Sequence, residues 1–128
     1  MKKPTSTNAQ NEAHIQQVCP MQYALAQIGG RWKILLLWYI HLGANRFGLL
    51  KQRLPATGKM ISQQLKELES SGLLTKTSYA ELPPRIEYCL TEKAYGLLTV
   101  LEQLNEWGRK AMDDPLASHN STAAGPTD

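Results

Sequence analysis

A chain of 128 residues, 42% apolar and 20% charged, has material for one domain with tails and for little more. Its formal net charge is +3, and two cysteines are too few for a disulfide framework, so the small secreted scaffolds are excluded and a reducing, cytoplasmic setting is expected. No run reaches the roughly 18 apolar residues that span a bilayer, and the opening MKKPTSTNAQNEAH lacks the apolar core of a signal peptide.

The charge is unevenly placed. Residues 31–76 hold eight cations (Arg31, Lys33, Arg46, Lys51, Arg53, Lys59, Lys66 and Lys76) against Glu67 and Glu69, whereas residues 102–128 hold two bases and five acids. A basic middle and an acidic end fit a polyanion-binding core with a separate C-terminal role. Residues 1–12 are polar and read as a disordered arm. His14–Val18 reads as an arm or a short helix. Pro20 suits the first position of a helix, which puts Cys19 at its N-cap or near it. Met21, Leu25 and Ile28 recur at helical spacing, and Gly29-Gly30 stops that helix.

Arg31 to Leu42 is almost continuously apolar and reads as a buried central helix ending at Gly43. Asn45-Arg46-Phe47 reads as a short extended piece. Gly48 to Leu54 reads as a short helix with Leu49, Leu50 and Leu54 inward, and Pro55-Ala56 as a tight turn. The next stretch, TGKMISQQLKELESSG, has Thr57 as N-cap and Gly72 as stop. Its apolar stripe is Ile61, Leu65 and Leu68, and its opposite face carries Lys59, Ser62, Gln63 and Lys66. Short helix, brief turn, amphipathic helix with a basic outer face is the helix-turn-helix arrangement.

Leu73–Tyr79 and Arg85–Leu90 read as two strands joined by Ala80-Glu81-Leu82-Pro83-Pro84, a wing. Alternation of Ile86, Tyr88 and Leu90 with Arg85, Glu87 and Cys89 predicts one buried face. Thr91 caps a last helix from Glu92 to about Met112. Its stripe is wider than one edge of a small domain needs, which suggests a subunit interface through Leu97, Leu98, Leu101, Leu104 and Trp107. The expected fold is thus mostly α with a small β-hairpin, a winged helix-turn-helix over residues 13–112 dimerising through its terminal helices, with 113–128 as a disordered tail.

With these elements in order the chain resembles the HxlR family of bacterial winged helix-turn-helix transcription regulators, relatives of the MarR type. The resemblance rests on Cys19-Pro20, Ile28-Gly29-Gly30-Arg31-Trp32, Arg46-Phe47, Gln63 to Glu69, Gly72-Leu73-Leu74, Pro83 to Tyr88 and Leu90-Thr91, and covers about residues 17–110. It implies homodimers joined largely by the terminal helices, the Thr57 helix in the major groove, and the wing on the flanking minor groove or backbone. Two departures stand out. The turn before Thr57 is one residue short with Gly58, a poor helix former, in the first turn, and Cys89 stands where the family usually has Ser.

On this reading Lys59, Gln63 and Gln64 face base edges or the groove wall, since Gln pairs with adenine and Lys with guanine. Thr57, Ser62 and Lys66 hold phosphates, Arg46 and Lys51 hold backbone from the preceding segment, and Arg85 does so from the wing. A thiol at a helix N-terminus is biased toward thiolate, so Cys19 is a candidate redox-responsive residue. The resemblance implies an oxidant or electrophile as its effector, sometimes acting through an intersubunit disulfide. A buried, inert Cys19 is the competing reading. Cys89, off the apolar strand face, is a candidate resolving thiol. No metal-ligand spacing, cofactor fingerprint or nucleophile–base motif appears, so no cofactor and no enzymatic activity are expected. Trp32, Trp38 and Tyr39 read as core or interface residues rather than a ligand cage; two alternatives stay open, a regulator whose small effector binds a pocket between the helices without cysteine, and a winged-helix protein-interaction module.

Overall fold

The structure, a computed structural model, describes residues 19–114. The expected N-terminal arm, the His14–Val18 segment and the tail beyond Asp114 lie outside those residues. The elements run α1 (Pro20–Ile28), α2 (Lys33–His41), α3 (Phe47–Arg53), α4 (Gly58–Ser70), β1 (Leu74–Tyr79), β2 (Arg85–Leu90) and α5 (Glu92–Asp113). Among the described residues, five helices and one antiparallel hairpin make the winged helix-turn-helix architecture. The chain divides into two compact units between Ala94 and Tyr95, within α5.

The first unit is built around α2. Leu36, Leu37 and Ile40 are buried, and with them Leu50 and Leu54 around α3, and Ile61, Leu65 and Leu68 from α4. Burial of each such side chain is worth about 1.5–3 kcal/mol. The stripe expected for α4 is therefore the face that packs, at 0%, 1% and 0% exposure for Ile61, Leu65 and Leu68.

Both ends of α4 are closed. Thr57 Oγ1 accepts the Met60 N–H at 3.1 Å, the N-cap bond its side chain suits. At the other end Gly72 has φ +77°. Its N–H donates to the Glu69 carbonyl and the Leu73 N–H to the Leu68 carbonyl, both at 2.9 Å, a Schellman closure that needs a residue at ease in the left-handed region. Gly58 has a packing reason for its place. A Cβ there would lie 3.2 Å from Phe47 Cζ and 3.3 Å from Lys51 Cε, so the bare backbone lets α4 start close against α3 despite the short turn.

The hairpin pairs Leu74 with Leu90 through Tyr79 with Arg85. Its base is tied to the end of α4, with the Thr91 N–H on the Leu73 carbonyl at 3.2 Å and the Thr91 hydroxyl donating to the Gly72 carbonyl at 2.6 Å. The same hydroxyl oxygen accepts the Ala94 N–H at 3.3 Å, capping α5. The Tyr88 N–H donates to the Asn45 carbonyl at 2.8 Å, so the extended piece before α3 edges the sheet. The expected buried strand face is only partly realised. Tyr88 and Leu90 are half-buried and Ile86 is 42% exposed, because the hairpin reaches beyond the helices that cover its base. The α1 stripe differs similarly: Ile28 is buried but Met21 and Leu25 are 67% and 52% exposed.

Gly72→Ala removes the residue suited to that φ, and should lower stability by about 1 kcal/mol. A urea titration reads this as an earlier midpoint at unchanged slope. An unchanged midpoint would contradict the role given to the Gly72 turn.

Candidate nucleic-acid interface

With Ile61, Leu65 and Leu68 inward, the other face of α4 must look out. Lys59, Ser62, Gln63 and Lys66 are all exposed, as is the N-cap Thr57, while Gln64 is half-buried on the flank. Arg46 and Lys51, at the start and middle of the α3 segment, are exposed as well. The sequence thus brings every expected helix-turn-helix contact residue except Gln64 to open surface, on two helices joined by the turn 54–57.

The eight cations of residues 31–76 divide into two sets. Lys33 is bound to Glu67 at 2.8 Å. Arg31 lies over the Trp32 ring at 4.6 Å and Arg53 over the Tyr39 ring at 5.7 Å, cation–π placements that hold the charge against an aromatic face. Arg46, Lys51, Lys59, Lys66 and Lys76 are exposed, and none has an ion-pair or ring partner among the described residues. The available positive charge therefore collects on α3, the outer face of α4 and β1.

The same pairing neutralises one acid at the end of that face. Glu67, one of two acids near the C-terminal end of α4 with Glu69, has its carboxyl held below the ordinary range. The hydrogen bond from Lys33 contributes most, followed by the lysine's charge, with a smaller contribution from Gln63. Gln63 Nε2 donates to Glu67 Oε2 at 3.4 Å, a long bond that leaves the amide easy to recruit by another partner.

Arg85 stands differently from the other expected contacts. Its guanidinium is half-exposed, bonded to Glu81 at 2.9 Å and also to Glu87, and stacked over Tyr79 at 4.1 Å. The hydrogen bond to Glu81 is the main reason its pKa rises above the usual arginine value. Nearby, Tyr88 has its phenol raised, by burial first and by the charge of Glu69 second.

A family model described as HxlR-like helix-turn-helix matches residues 27–115. The chain belongs to the HxlR family. It is 43% identical over 95 residues to an HTH-type transcriptional regulator of Methanothermobacter thermautotrophicus, a match covering 73% of this chain and 72% of that protein. Among solved structures it is similar to the redox regulator HypR in its reduced form, with a TM-score of 0.69 and 36% identity over 77% of this chain and 98% of that one. It is also similar to diamide-treated YodB of B. subtilis, with a TM-score of 0.60 and 29% identity over 72% and 92%. The chain is accordingly a DNA-binding helix-turn-helix transcriptional regulator rather than an enzyme.

Other features of this HxlR-family chain bear on its regulation. Cys19 is the N-cap residue of α1, as expected, and half-buried; Cys89 is exposed on β2, and both are free thiols. Of the expected interface residues, Leu98 and Leu101 are buried within the single chain and Leu97 is half-buried, while Leu104 and Trp107 are 49% and 70% exposed. No group of three or more His, Cys, Asp or Glu side chains that could hold a metal occurs among the described residues, and no helix there is long and apolar enough to cross a membrane.

Sequence reasoning missed Lys93. Its Nζ donates to the Ser71 carbonyl at 2.8 Å and reaches Tyr23 Oη and Gln27 Oε1 at 3.4 Å each, so it ties α1 to the end of α4. Nothing local marks it, since its partners lie 22 to 70 residues away. The Lys33–Glu67 pair was equally invisible.

Lys33→Gln should return the Glu67 carboxyl toward the ordinary carboxylate range. Because the folded value lies below the unfolded one, the pair stabilises α2 against α4 above the ordinary range and stops doing so as pH falls through the lowered folded value. A carbon-13 NMR titration of Glu67 should show a higher midpoint in the variant; coincident curves would contradict the assignment.

Proposed function

We propose that this regulator acts in the cytoplasm as a homodimer on a pseudo-palindromic operator, with its two copies of α4 in successive major grooves about one helical turn, roughly 34 Å, apart. The observation that carries the reading is the sorting of charge just described. The cations without internal partners stand on the α3 segment, among the polar side chains of α4 and on β1, while the remaining cations and Glu67 have partners. In this reading Lys59, Gln63 and Gln64 meet base edges or the groove wall. Thr57, Ser62 and Lys66 meet phosphate from α4, and Arg46 and Lys51 meet phosphate from the α3 segment.

Dimerisation uses the terminal helices. Met21 and Leu25 on α1, and Leu104 and Trp107 on α5, present large apolar side chains to solvent in the single chain, the kind of surface that marks association. Leu97, Leu98 and Leu101 shape the same helix from its more buried side.

Cys19 is the switch in this account. It stands half-buried at the N-cap position of α1, and its side chain makes no capping bond there. The similarity to HypR, solved in reduced and oxidised forms, and to diamide-treated YodB supports a thiol-based signal. An oxidant or electrophile modifies Cys19, α1 shifts, and the spacing of the recognition helices changes. Cys89, exposed on the wing, is the candidate partner thiol.

Two measurements check this. Lys59→Ala and Lys66→Ala should each flatten the dependence of log Kd on log salt by about 0.9, the value of one released phosphate contact. Unchanged affinity and slope in both would remove this face from the interface. Diamide should modify Cys19 by mass spectrometry and alter operator affinity, and Cys19→Ser should abolish that response. An unmodified Cys19 would end the thiol reading while leaving the DNA reading intact.

A further inference from the structure

The exposed face of α4 carries an amide whose two ends are not equivalent. Gln63 and Glu67 stand four residues apart, one turn along the same face of the helix. Gln63 Nε2 donates to Glu67 Oε2 at 3.4 Å, and the other carboxylate oxygen, Oε1, takes Lys33 Nζ at 2.8 Å. Lys33 opens α2, and its side chain is 13% exposed against 43% for Glu67. The three side chains run from a mostly covered ammonium on α2 to the face of α4 assigned to DNA.

The chemistry of this chain of contacts gives it one direction. A lysine ammonium only donates, and an ionised carboxylate only accepts. The hydrogen bond and the charge of Lys33 hold Glu67 in its ionised form, so its carboxylate takes an N–H of Gln63 and repels the amide oxygen. A glutamine without such a neighbour can turn either end outward. The bond here is long and its length yields readily, but its sense cannot reverse while Glu67 is ionised. Gln63 keeps Nε2 toward Glu67 and is left with Oε1 and its second N–H for an external partner.

We propose that the Lys33–Glu67–Gln63 chain sets a base preference of α4: Gln63 presents one acceptor beside one donor, a pattern that matches adenine and mismatches guanine, with Glu67 and Lys33 as positioning residues. This rests on the base-reading role given to Gln63 above. In the major groove adenine offers its N6 amino group as donor and N7 as acceptor, and one amide meets both. Guanine offers two acceptors, O6 and N7, so its O6 would face the Gln63 oxygen. A glutamine free to turn could bring its amino group to guanine instead, and the discrimination would fall. Lys33 has a second effect. By offsetting the charge of Glu67 it lets a carboxylate stand on a DNA-facing helix with less repulsion of phosphate.

The test uses the full chain and the duplex it selects from random sequence. Gln63→Ala identifies the base pair at which selection is lost. At that pair the native protein should bind adenine about tenfold or more tightly than guanine, and replacing the adenine by unsubstituted purine, which lacks the amino group, should cost a similar factor. Glu67→Gln, on the helix surface, puts an amide that both donates and accepts where the carboxylate stood. It should reduce the adenine-to-guanine ratio to about threefold or less, while tightening binding to every duplex by a common factor because a negative charge is gone. Lys33→Met, which leaves Glu67 unanchored, should lower the ratio as well, and Lys33→Arg should keep it. A guanine preference in the native protein, or an unchanged ratio in Glu67→Gln, would overturn the proposal while leaving DNA reading in place. A selected site unchanged by Gln63→Ala would remove Gln63 from the interface and the proposal with it. Failure of the native protein to bind any duplex would overturn both readings.

Discussion

The face that α4 offers to solvent is decided by the face it cannot offer. Ile61, Leu65 and Leu68 are buried almost completely, and turning the helix would expose all three at about 1.5–3 kcal/mol each. That cost fixes the rotation of α4 about its axis, and Thr57 and the Gly72 turn fix where it begins and ends. Lys59, Ser62, Gln63 and Lys66 point outward as a consequence. On the proposed reading, recognition is a by-product of packing: the residues assigned to DNA occupy the positions that the core leaves over.

Around that helix the charges are separated by the partners available to them. Lys33 is used to hold Glu67, and Arg31 and Arg53 lie on aromatic rings. On the wing, Glu81 and Glu87 hold Arg85. A cation with an internal partner can meet phosphate only by giving that partner up, whereas Lys59 and Lys66 give up only water. The count of basic residues thus overstates the positive surface, and their placement states it better. Lys93 joins α1 to the end of α4, which is the connection the proposed switch at Cys19, the N-cap residue of α1, would use.

Much of this was legible in the sequence because its signals are local. The three-residue stripe of α4, Thr57 ahead of it and Gly72 behind it define a helix with a known inner face, and the structure has that helix at Gly58–Ser70. Gly58 was legible only as a departure. Its reason, the approach of Phe47 and Lys51, is a contact between two helices that no spacing rule contains. Alternation in β2 gave the strand but overstated its burial, because a period of two says which residues share a face and not whether anything covers it. Arg85 was visible as a cation and invisible as an ion pair, since its commitment depends on hairpin register and on side-chain reach from Glu81 and Glu87. Met21 and Leu25 show the same limit: their spacing forecast an apolar stripe, and among the described residues both stay exposed.

The central claim, that a dimer presents two copies of α4 to DNA under thiol control, is tested most directly by selecting bound sequences from random duplex DNA with the protein reduced and again after mild oxidation. The account predicts a pseudo-palindromic site with half-sites about one turn apart, recovered from the reduced protein and lost or altered after oxidation. Absence of any enriched sequence in either state would contradict it.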